Sequence, residues 1–115
     1  MTTAEFRRMA LALPEAVESA HMNHPDFRVR GKIFATLGYP KTGWGMVKLP
    51  AAHQKRLIAN DPDVYVPAAG AWGRAGATHV QLRAADKATV RQALAVAWSI
   101  TAPKTLARQL VIPPL

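Results

Sequence analysis

The chain is predicted to fold as an α+β domain, a curved antiparallel sheet with helices packed on one face. Two amphipathic helical stretches bracket it, and between them lie short alternating segments joined by Gly- and Pro-rich turns. Those turns are too short for parallel crossovers, so the strands pair antiparallel. At 115 residues, half of them hydrophobic, the chain is sized for one domain spanning residues 1–115 with its own core.

Thr2-x-x-Glu5 fits a capping box, and Phe6, Met9, Ala10 and Leu13 follow at helical spacing until Pro14 ends the run. Val17 to Asn23 reads as a strand closed by His24-Pro25. Phe27 and Val29 then alternate with Arg28 and Arg30, and past Gly31, Ile33, Ala35 and Leu37 alternate with Lys32, Phe34 and Thr36. Gly38 to Gly43 is a turn region leading to a strand from Trp44 to Leu49. Pro50 opens a short helix over Ala51 to Asn60 with Leu57 and Ile58 inward. A brief strand at Val64 and Val66 leads to the loop Pro67 to Gly76, and Thr78, Val80 and Leu82 mark the last strand. Asp86 caps the strongest helix, whose inward stripe is Val90, Ala93, Leu94, Ala97 and Trp98. Lys104 to Leu110 adds one or two turns, and residues 111–115 form a loose tail.

The chain has no cysteine, which excludes disulfides and thiolate metal sites and points to a reducing, cytoplasmic setting. Neither a signal-peptide pattern nor a stretch long enough to span a membrane is present, so no membrane role is expected. Fifteen Lys and Arg oppose seven Asp and Glu, a formal charge of +8. No acid falls between Phe27 and Asn60, where Arg28, Arg30, Lys32, Lys41 and Lys48 are basic. At i, i+2 and i+4, Arg28, Arg30 and Lys32 share one strand face unless Gly31 introduces a bulge. With Lys41 and Lys48 they make a stripe suited to a phosphate backbone, or simply a solvated face.

Gly70-Ala71-Trp72-Gly73-Arg74 places an indole and a guanidinium between glycines. Trp72 and Arg74 suit stacking and anion contact in a recognition loop; alternatively Trp72 plugs the open face of the sheet. His21 and His24 have H-x-x-H spacing, which on one continuous strand sends the rings to opposite faces, so no metal site is expected. His24 and Asp26 could meet across Pro25 as an acid–base pair or merely shape the turn. No nucleophile with triad logic and no phosphate-binding glycine motif is present, and the chain is expected not to be an enzyme and to need no cofactor.

Pro25-Asp26-Phe27-Arg28-Val29-Arg30-Gly31-Lys32-Ile33-Phe34-Ala35, the Trp72 loop, the Thr78–Leu82 strand and Ala97-Trp98 occur in the order seen in the MmcQ/YjbR family of small bacterial proteins, which the chain resembles from its first helix to Pro103. The resemblance implies a frataxin-like, CyaY-type fold. It also implies DNA binding, the label members commonly carry. The frataxin analogy would add iron held on an acidic ridge, but the acids here are scattered and clustered on no one helix. The leading expectation is a monomer that binds DNA weakly through Arg28, Arg30, Lys32, Lys41 and Lys48, with Trp72 and Arg74 at the edge. The alternative is a protein-interaction or small-anion-binding domain whose pocket lies at the Trp72 loop.

Overall fold

A computed structural model describes residues 1–110; the tail expected at 111–115 lies outside the described residues. The elements run α1 (Thr3–Leu11), β1 (Val17–His21), β2 (His24–Val29), β3 (Lys32–Leu37), β4 (Trp44–Lys48), α2 (Ala51–Asn60), β5 (Tyr65–Pro67), α3 (Gly70–Arg74), β6 (Ala77–Gln81), α4 (Lys87–Thr101) and α5 (Lys104–Ala107). Six antiparallel strands form one sheet in the order β1-β2-β3-β4-β6-β5. The α+β prediction holds.

Local chemistry sets the helix starts. Glu5 N donates to Thr2 Oγ1 at 3.1 Å while Thr2 N donates to Glu5 Oε1 at 2.8 Å, which closes the capping box. Asp86 Oδ2 accepts from Thr89 N at 2.9 Å and starts α4. All five residues of the predicted α4 stripe are buried.

Cross-strand pairs share a face, so the register assigns the two sides of the sheet. Phe27, Ala35 and Val47 form one row and Leu37, Gly45, Val80 and Tyr65 another, both toward α1 and α4. A Cβ at Gly45 would stand 3.2 Å from the Phe6 ring, showing how closely α1 approaches. The opposite face carries Ser19, Asp26, Thr36, Met46, His79 and Val66 in one row. Among the described residues no long helix covers this second face, and it holds the candidate site.

Two tight hairpins alter the predicted strand readings. Met22 and Asn23 (φ 49° and 67°) reverse the chain between β1 and β2, and Arg30 and Gly31 (φ 50° and 81°) do so between β2 and β3. Positive φ at both central positions is the two-residue turn that matches strand twist. The register also shifts between Phe27 and Arg28, and Phe34 is fully buried beside buried Ala35, so strict alternation fails in β3.

Candidate functional site

The predicted basic stripe does not assemble as one face. Arg30 occupies a turn rather than a strand position, and its Nε and Nη2 grip Glu15 at 2.6 and 2.9 Å. Arg28 does lie on the open face, but its Nε and Nη2 are taken by Asp26 at 2.8 and 3.0 Å. The acid-free segment is thus neutralised in part by carboxylates that precede it in sequence. Lys32 and Lys48 are exposed and line one shallow depression with Arg28, Gly31 and Ile33. Lys41 sits in the β3–β4 loop, at the other end of β4 from Lys48, and borders a separate groove with Arg83. Arg74 is exposed at the end of α3.

Trp72 is placed elsewhere than with those cations. The segment predicted as a loop contains the one-turn helix α3, held because Gln54 Nε2 donates to the carbonyls of Gly73 at 3.0 Å and Ala77 at 3.2 Å. Gly73 has no room for a side chain, since a Cβ would fall 1.8 Å from the Ala68 carbonyl oxygen. From this anchor Trp72 reaches the open face, where it lines a cavity of about 260 Å³ with His21, Met22, His24, Thr36, Tyr39 and Met46. The lining is mainly apolar, but its polar groups are unusual in their supports.

His21 and His24 face each other across the Met22-Asn23 turn as cross-strand partners, with ring centroids 6.5 Å apart. This corrects the expectation that their spacing sends them to opposite faces: the hairpin, not a continuous strand, joins them. The partner of Asp26 is also corrected, because His21 Nδ1, not His24, meets Asp26 Oδ2, at 2.8 Å. Asp26 is fully buried. Its hydrogen bonds from Arg28 hold the carboxyl below the usual range, with His21 adding to the effect and burial opposing it. His24 packs edge-on against Tyr39 at 5.6 Å, and Tyr39 lies 5.6 Å from the His79 ring. Burial pushes the His79 imidazole below its ordinary pKa and favours the neutral ring. Thr36 Oγ1 and His79 Nδ1 are buried without a hydrogen-bond partner among the described residues.

Such a surface can take up a flat apolar group against Trp72, Met22 and Met46, with the histidines of the same lining available to its polar atoms. Among the described residues, no group of three or more His, Cys, Asp or Glu side chains could hold a metal ion. In the same residues no helix is long and apolar enough to cross a membrane.

Met22, Thr36, Tyr39 and Met46 carry no spacing or motif in the sequence that gathers them into a site. A usable signal was the i, i+2 spacing of Asp26 and Arg28, which puts acid and base on one strand face. No curated protein matches this chain. The family model described as YjbR matches residues 11–100, most of the chain, and runs from the end of α1 through the open-face cavity to α4. The protein belongs to the YjbR family.

Proposed function

We propose that this YjbR-family protein is a small-molecule-binding module, not an enzyme, and that its site is the open-face cavity under Trp72. The observation that carries this reading is the grouping of exposed apolar side chains around one concavity. Met22 is 87% exposed, Trp72 58% and Tyr39 42%, and all three line the same cavity. Large apolar groups left in water side by side mark a binding surface more often than isolated ones do. The volume is just below the range of about 300–1,000 Å³ typical of ligand pockets, which limits the ligand to roughly a fused two-ring system. The ligand class is therefore a planar aromatic or heteroaromatic molecule.

Indole is a suitable probe, with an expected Kd on the order of 1 mM for so few atoms. Saturation-transfer NMR is expected to show binding that Trp72→Ala weakens by roughly fivefold or more, since the indole wall supplies both contact area and ring stacking. Equal binding by wild type and Trp72→Ala would contradict this assignment.

A second reading, binding of DNA or another polyanion, draws support from Lys32 and Lys48. Both lack ion-pair partners among the described residues and share a depression on a chain of net charge +8. In this reading Lys32→Ala with Lys48→Ala reduces the slope of log affinity against log salt by about 2 for a short duplex. An unchanged slope removes these two residues from any such interface.

A further inference from the structure

We infer that the cavity selects ligands carrying a ring N–H, and that His21 is the residue that selects them. This rests on the open-face cavity being a ligand site. The argument begins with Asp26, whose side chain is wholly inaccessible to solvent. Its carboxyl is held in the ionised form by the Arg28 fork, so both oxygens can only accept hydrogen bonds. His21 Nδ1 lies 2.8 Å from Asp26 Oδ2, and the proton of that contact must therefore reside on Nδ1. In the neutral ring this leaves Nε2 bare, an acceptor with no proton to give.

That acceptor belongs to a side chain that is one-third exposed and lines the cavity. Its orientation is fixed from behind by the buried carboxylate, the carboxylate by Arg28, and Arg28 by its position two residues along the same strand face. A bound ring whose edge displaces water from Nε2 has to supply a hydrogen in its place. A flat molecule of equal shape with a lone pair at that edge would meet lone pair with lone pair. Thr36 and Tyr39, through their hydroxyls, and His24, through either ring tautomer, can donate or accept at the same cavity and so impose no opposing rule. The ligand class narrows to N–H heteroaromatics, such as indoles, benzimidazoles and the N–H edges of free purines.

Indole and benzofuran test this directly, because they share shape and differ in N–H against ring oxygen. In mildly alkaline buffer, wild type is expected to bind indole about fivefold more tightly than benzofuran, the effect of one neutral hydrogen bond. His21→Phe, which keeps a ring at the cavity wall, should bind both equally. In the same alkaline buffer, a long-range ¹H–¹⁵N spectrum of wild type should show the neutral His21 ring carrying its proton on Nδ1 and none on Nε2. Equal binding of the two probes to wild type, or a proton on Nε2, overturns the role of His21 while leaving the cavity assignment standing. Binding of neither probe overturns both.

Discussion

Trp98→Ala is expected to lower the unfolding free energy by about 4 kcal/mol, within the range measured for emptying a large buried aromatic site. Trp98 is fully buried near the end of α4, and its Nε1–H donates to the Pro14 carbonyl at 2.9 Å, joining α4 to the chain just past α1. Alanine would empty the largest of the fully buried side-chain sites and leave that carbonyl without its partner. A domain of this size has roughly 5–15 kcal/mol of stability in all, so the variant should still fold but melt on the order of 15–20 °C lower. Trp98→Phe keeps most of the packing and should cost less than half as much. Urea unfolding read by circular dichroism checks both; a loss below about 1 kcal/mol for Trp98→Ala would contradict the assignment of Trp98 to the core.

Gly76→Ala is expected to be comparably severe for a different reason. Gly76 has φ 109°, and a Cβ there would stand 1.9 Å from the Leu49 carbonyl oxygen. Leu49 N also donates to the Gly76 carbonyl at 3.0 Å, so the two backbones are bonded where the methyl group would intrude. The obstacle is backbone, which cannot swing aside as a flexible side chain would. Conformational strain of about 1–3 kcal/mol adds to the cost of displacing that segment, and a total of at least about 3 kcal/mol is expected. Gly70→Ala is the control. It also replaces a positive-φ glycine, at 65°, but its Cβ would meet nothing within 4 Å, so strain alone applies at about 1–2 kcal/mol. Thermal unfolding of both variants decides the point, and equal losses would show that the close approach at Leu49 does not matter. Gly76 lies two residues beyond α3, so its replacement should also disturb Trp72 and weaken binding in the cavity.

The contrast between these two positions resembles the contrast between what could and could not be read in the chain itself. Thr2 and Glu5, Asp86, and the stripe from Val90 to Trp98 act through neighbours within one or two helical turns, so their spacing alone announces them. Arg30 falls in a turn that the sequence hardly announces, because a two-residue hairpin without Asn-Gly or Asp-Gly gives only a faint turn signal and Gly31 could equally mark a bulge. Its partner Glu15 is fifteen residues away, a contact that depends on how α1 leads into β1. The same difficulty hid the pairing of His21 with His24: Met22-Asn23 has no strong turn signature, yet it folds the H-x-x-H spacing onto one face. Trp72 stands out in the sequence by type and by its glycine flanks, which fit either a recognition residue or a plug on the open face. Its companions Thr36, Tyr39 and Met46 come from three separate segments that only the β3–β4 pairing and the intervening loop bring together.

These placements change the balance between the two functional expectations. Ion pairing to Asp26 and Glu15 removes two arginines from the proposed phosphate stripe, and the turn at Gly38 to Gly43 sends Lys41 to the far end. What remains on the open face is a cavity with aromatic, thioether and imidazole walls, which suits a flat neutral ring better than a phosphate chain.

The most direct measurement is a backbone amide shift map of the ¹⁵N-labelled protein titrated with indole. Saturable shifts clustered at His21, Met22, Thr36, Tyr39, Met46 and Trp72 are the predicted result. Shifts confined to Lys32, Lys48 and their neighbours, or no saturable shifts at all, would contradict the assignment of the open-face cavity as the binding site.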